Sequence, residues 1–150
     1  MQNLLAEEAP IHELFSLIVA ISGEIGNNSF DHNLGNWPDV QGIFFGYDIA
    51  KKEIALADRG LGILTTLQQV RPDLANYKDA LQVAFTEVIT SRSPEKRGNG
   101  LKFVRQVIQE SPVSLRFQSG DAQLKMAQRN PDLQIQEAPF VRGCIALINW

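Results

Sequence analysis

Cysteine is almost absent from this chain. Cys144 stands alone among 150 residues, so no intramolecular disulfide can form and a disulfide-stapled secreted scaffold is excluded. A lone thiol suits a reducing compartment, and a cytoplasmic location is the expectation. Long apolar runs are missing as well. The longest apolar region, Leu14 to Ile25, is too short for a membrane span and is interrupted by Ser16, Ser22, Gly23 and Glu24. Met1 is followed by polar and acidic residues instead of a basic stretch, so no signal peptide is expected. There is no long basic run either. A net charge of −3 argues against a dedicated nucleic-acid surface, since phosphate contacts need clustered Lys and Arg. Internal repeats and low-complexity segments are lacking.

What remains is ordinary globular composition, 44% hydrophobic and 21% charged, in a length that buries a core without disulfides or a structural metal. One domain over residues 1–150 is the simplest reading. Leu14, Leu17, Ile18, Ile21 and Ile25 recur at three- and four-residue steps and predict an amphipathic helix near 10–34, with Pro10 at its start. Val40–Ile49 and Lys52–Ala57 read as two strands around an Ala50-Lys51 hairpin turn. Residues 64–97 carry no strand signal, and Ala80 to Ile89 suggest one helix inside them. Ser91 to Arg97 is polar. A further helix follows Gly98, with Leu101, Val104, Val107 and Ile108 on its apolar face and Pro112 at its end. Val113–Gln118 and Ala122–Met126 read as a strand pair around a Ser119-Gly120-Asp121 turn, residues 128–139 as a loop, and Gly143–Asn149 as a last strand. This order predicts an α/β, two-layer sandwich with a mostly antiparallel mixed sheet and helices on one face.

Three short motifs carry the chemistry. In Glu24-Ile25-Gly26-Asn27-Asn28, Glu24 and Asn28 lie four apart on one helix face, and His32 extends that line. A carboxylate there can orient or deprotonate an attacking hydroxyl, and an amide oxygen suits Mg²⁺. The same residues would also suit a solvated helix face. Asp58-Arg59-Gly60-Leu61-Gly62-Ile63 follows the strand Ile54-Ala55-Leu56-Ala57. Its carboxylate can accept from an exocyclic amine while the glycines let backbone approach a flat ligand; a tight turn with a capping Asp is the alternative. Gly98-Asn99-Gly100-Leu101 opens a helix, where free N–H groups bind anions. Arg92, Lys96, Arg97, Lys102 and Arg105 flank it, either as a solvated face or as an attraction for phosphates. His12 reads as a helix-start residue. Trp37, Phe44, Phe45 and Trp150 read as packing residues.

In this order, and over roughly residues 10–150, the motifs resemble the ATP-binding domain of the GHKL superfamily, which includes DNA gyrase, histidine kinases and MutL. The resemblance implies the Bergerat-type fold and ATP with Mg²⁺ as the ligands. It makes Glu24 the general base and Asn28 the Mg²⁺ holder, with Asp31 and His32 at the rim. Asp58 becomes the adenine-specificity residue, with Gly60, Gly62 and Ile63 around it. Arg97, Gly98, Asn99, Gly100 and Leu101 become the phosphate-contacting end of an ATP lid running from about 64 to 97. Asn28-Ser29-Phe30-Asp31 looks like the gyrase and MutL wording, while His32 stands where histidine kinases often have His. Gly143-Cys144 is similar to a Gly-Thr near the adenine pocket, with Cys replacing Thr. Gly100-Leu101-Lys102-Phe103 departs from the Gly-Leu-Gly-Leu of many relatives.

Thr90 to Glu95 looks like the anti-sigma-factor serine kinases, whose build also lacks phosphotransfer helices and a transducer domain. The expected function is therefore an ATP-binding regulatory protein, a kinase or ATPase acting on a protein partner such as a sigma factor or a small antagonist protein. The alternatives are a non-catalytic nucleotide-sensing module and a detached catalytic domain of a larger histidine kinase. A homodimer fits either build. No membrane or nucleic-acid partner is expected.

Overall fold

The computed structural model describes residues 2–88 and 99–150, with the backbone alone for 2–10. Helix α1 spans Gln2–Asn33, followed by strands β1 (Phe44–Asp48) and β2 (Glu53–Asp58). Three helices come next: α2 (Gly62–Gln68), α3 (Tyr77–Thr86) and α4 (Gly100–Glu110). Strands β3 (Ser114–Met126) and β4 (Gln134–Asn149) close the chain. The sheet has four strands in the order β1-β2-β4-β3, and every pairing is antiparallel.

Register explains which face the helices cover. Opposed residues in an antiparallel pair point to the same side. Leu56, Ala146 and Phe117 therefore form one row across β2, β4 and β3, and Ile54, Ile148 and Leu115 form another. Leu56, Ala146, Phe117, Ile148 and Leu115 are all buried. The rows on either side of Leu56-Ala146, Ala57-Ile145 and Ala55-Leu147, remain half-exposed on the other face. Onto the buried face α1 lays Ile18, Ile21 and Ile25, α3 lays Leu81 and Phe85, and α4 lays Val104 and Ile108. Each large side chain so buried contributes roughly 1.5–3 kcal/mol. The result is the two-layer α/β sandwich that the pattern of elements predicts.

Local signals and tertiary structure part company in five places. Helix α1 begins at Gln2 and carries Pro10 in its interior, where the missing N–H costs one backbone hydrogen bond. Residues 40–43 are not strand, and β1 starts only at Phe44. The expected Ser119-Gly120-Asp121 turn does not exist; β3 runs straight through it with register shifts around Gly120. Much of the expected 128–139 loop is strand, since β4 begins at Gln134 and pairs Gln134 to Glu137 with Lys125 to Ala122. These residues are polar because they lie at the far end of a long two-stranded extension, so apolar content does not mark them. The described part of the 64–97 stretch, residues 64–88, holds most of α2 and all of α3, where one helix was expected. Phe85 is fully buried, so this part of the stretch is a packed wall of the domain. Asn76 caps α3 by accepting from the Asp79 N–H at 2.8 Å.

Candidate functional site

A cleft lies between α1, the start of α2, the start of α4 and the sheet. Its floor is a third row of cross-strand neighbours, Asp58, Cys144 and Ser119, two residues along from the Leu56-Ala146-Phe117 row. Apolar rows thus give way to a polar one at the sheet end where the cleft opens.

Asp58 is buried, 6% exposed, and its carboxylate is held from three directions. Ser29 Oγ donates to Oδ2 at 2.7 Å, Asn33 Nδ2 donates to Oδ1 at 3.1 Å, and the Gly60 N–H donates to Oδ1 at 2.9 Å. Asn33 in turn accepts from the Leu61 N–H at 2.8 Å, so one amide fixes both the carboxylate and the loop that follows it. A methyl group on Gly60 would collide with the Asn33 side chain, which accounts for glycine there. Ser119 is fully buried; its hydroxyl accepts from the Ile63 N–H at 3.0 Å and donates to the Gly143 carbonyl at 3.1 Å. It supplies from a distance the cap that Leu61, the residue before α2, does not provide.

Cys144 lies between these two residues on the floor. Burial and the nearby Asp58 charge push its thiol up to about 12. The thiol therefore stays protonated near neutral pH. Alkylation of the native protein with iodoacetamide is expected to be slow and to accelerate sharply on unfolding; fast native labelling would show an accessible thiolate instead. Gly143 just before it has φ +83°, and a Cβ there would strike the Asp58 backbone. Gly143→Ala is expected to cost about 2 kcal/mol or more, from left-handed strain plus overpacking. Chemical denaturation would read this loss, and an unchanged midpoint would refute the close approach.

The cleft has two lobes. The inner lobe holds about 330 Å³ of open space, its mouth included, over Asp58, Cys144, Phe117, Gly62 and Ile63. The outer lobe, about 420 Å³ measured likewise, reaches Gly100, Lys102, Leu67 and Ala84. Asn28, His32, Ile63, Thr66 and Leu101 line both, so the lobes are continuous. Glu24 sits at the outer end: its Oε2 lies 2.5 Å from where a Cβ on Gly100 would be, and Asn28 Nδ2 lies 3.5 Å from the same point. The α1 line of Glu24 and Asn28 therefore faces the first turn of α4. His32 stands at the lip, exposed by area. Desolvation by the surrounding protein still lowers its pKa, against the pull of Asp31, which favours the neutral imidazole.

The structure thus gathers Glu24, Asn28, His32, Asp58, Gly60, Gly62, Ile63, Gly100 and Leu101 around one cleft. Asp31 is exposed and does not line it. Asn99 is exposed and precedes α4 without a side-chain capping bond. Arg97 and Gly98 lie outside the described residues. Four participants lie outside the quoted motifs, Asn33, Thr66, Phe117 and Ser119, and a fifth, Ser29, lies in Asn28-Ser29-Phe30-Asp31 without an expected role. For Ser29 and Asn33 a signal existed, since they are four apart and form a polar helix line beside Glu24, Asn28 and His32. A larger cavity, about 690 Å³, lies between residues 39–44 and the end of β2. Its Arg59–Asp39 pair closes on itself at 2.6 Å, and no set of catalytic side chains converges there.

No family model matches this sequence, and no curated protein matches it. Solved structures do match the fold. The ATPase region of Saccharomyces cerevisiae topoisomerase II superposes with a TM-score of 0.54 at 14% identity, over 86% of this chain and 36% of that one. The same region bound to ICRF-187 (dexrazoxane) gives 0.55 at 14%, over 88% and 37%. The 43K ATPase domain of Thermus thermophilus gyrase B in complex with an aminocoumarin gives 0.49 at 17%, over 86% and 32%. This chain spans about a third of the length of these structures. At these identities the topoisomerase likeness establishes the shared fold, which is that of the GHKL ATPase domains. No helix among the described residues is long and apolar enough to cross a membrane.

Proposed function

We propose that this chain binds ATP in the cleft, adenine in the inner lobe and phosphates in the outer. The observation that carries this reading is the pinned Asp58 carboxylate on a floor flanked by apolar Ile63, Leu101 and Phe117. A carboxylate has about four lone-pair directions, and three are used internally, which leaves capacity for the amino group of an adenine. The flat base would be held between the side chains above and the sheet row below. Where a Gly-Thr pair would offer a hydroxyl, Cys144 offers only a thiol.

The outer lobe suits phosphates. Free N–H groups at the start of α4 favour anions, and Glu24 and Asn28 confront them from α1. Asn28 would hold Mg²⁺ through its amide oxygen. Among the described residues no three His, Cys, Asp or Glu side chains gather as a metal cage. A Mg²⁺ ion would therefore take most of its ligands from phosphate and water, as this ion commonly does. Bound there it would neutralise phosphate charge. Glu24 would orient or deprotonate the attacking water or hydroxyl.

The finer reading is a regulatory kinase or ATPase acting on a protein partner, a sigma factor or a small antagonist protein. It rests on the resemblance at Thr90 to Glu95, which lies outside the described residues. A nucleotide sensor without turnover is the competing use of the same cleft. Calorimetric titration with ATP and ADP, with and without Mg²⁺, tests the shared reading. Adenine-nucleotide binding strengthened by Mg²⁺ supports it, and absence of binding by folded protein overturns it. Release of γ-phosphate, or its transfer to a partner serine, then separates enzyme from sensor.

A further inference from the structure

The first turn of α4 breaks two local rules at once. Helix N-termini favour acidic residues and a capping side chain. This one has no acidic residue in its first turn, and Asn99 makes no capping bond. It carries a cation instead, Lys102, the third residue of the helix. Such local costs persist where function compensates them. The compensation is visible in where Lys102 lies. It lines the outer lobe with Gly100, Asn28 and His32, and it is the only Lys or Arg among the described residues on either lobe. The adjacent Leu101 is buried and anchors this turn in the core.

We infer that Lys102 is the phosphate-recognising cation of the cleft, paired with the α4 N-terminus so that the site reads the polyphosphate of its ligand as well as the base. This rests on the ATP reading above. The carboxylate of Glu24 beside Gly100 shows that the position already accepts anionic oxygen. Lys102 is half-buried, and that burial lowers its pKa, with Glu87 pulling the other way. It already interacts within the chain, and phosphate would join or replace that interaction. A dianionic phosphate stabilises a partly desolvated ammonium through charge-assisted hydrogen bonds. The Gly-to-Lys departure from the Gly-Leu-Gly-Leu pattern thus exchanges backbone freedom for a fixed charge.

The test compares adenosine and Mg-ATP by calorimetry on wild type, Lys102→Met and Lys102→Arg. Lys102→Met is expected to bind adenosine like wild type and Mg-ATP about 10- to 100-fold more weakly, the range of a hydrogen bond to a charged group. Lys102→Arg is expected to recover most of that loss. Wild-type affinity for Mg-ATP, but not for adenosine, should fall with added salt. Adenosine binding by the Met variant also reports that the pocket is folded, and Lys102→Gln replaces it if its melting transition is lost. Equal losses for adenosine and ATP, or no loss for ATP, overturn the inference while leaving the nucleotide site standing. Wild type that binds neither ligand overturns the site itself.

Discussion

Asp58→Asn is expected to weaken adenine-nucleotide binding on the order of 100-fold or more, because a site built to pair a polar group tolerates its loss poorly. Three donors converge on this carboxylate, from Ser29, Asn33 and the Gly60 backbone. An amide has one acceptor oxygen. With its NH₂ on the Oδ1 side it meets the Asn33 and Gly60 donors; with its NH₂ on the Oδ2 side the Ser29 hydroxyl can turn to accept, but that side can no longer accept from the amino group of a base. The first also destabilises the fold by roughly 1–3 kcal/mol, the cost of a buried unsatisfied donor. Thermal melting and titration with adenosine and ATP separate the two losses. A variant that melts normally and binds normally would show that adenine is not read by Asp58.

Glu24→Ala is expected to lower turnover by about 10²- to 10⁴-fold, the contribution of a positioned general base. Binding should respond differently. The Glu24 carboxylate lies beside Gly100 at the N-terminus of α4, next to where phosphate would sit. Removing it takes away a like charge, so ATP affinity is expected to hold or to tighten. Single-turnover γ-phosphate release together with calorimetry reads both quantities. Surviving turnover would move the base assignment to another group, with neutral His32 at the lip as the first candidate. Weakened binding would mean that Glu24 serves the ligand through Mg²⁺.

The motifs were legible because each is local. Glu24 and Asn28 share a face through helix periodicity alone, and Asp58 ends a short apolar run, Ile54 to Ala57, that reads as a strand. The structure brings Glu24, Asn28, Asp58, Gly62 and Gly100 to one cleft, although they are spread over 77 positions of chain. Ser119 was misread for a definite reason. Ser-Gly-Asp is a turn signature, and only pairing with β4 and bonds to Ile63 and Gly143 hold it in a strand. The extension of β4 back to Gln134 was invisible likewise, because polar residues there are paired by neighbours and not by a core.

By itself the sequence determined the elements that bury a face: α1 from its Ile18, Ile21 and Ile25 stripe, α4 from Leu101 to Ile108, and the central strands. It also determined the identity of the groups offered to a ligand. Tertiary structure alone decided how those groups are held. Ser29 and Asn33 become partners of Asp58, and Ser119 caps α2, only once α1, β2 and β3 are in place. Buried hydrogen-bond donors and acceptors must find partners wherever the folded chain brings them, and such pairings, made across 25 to 56 residues, leave no periodic trace in the chain.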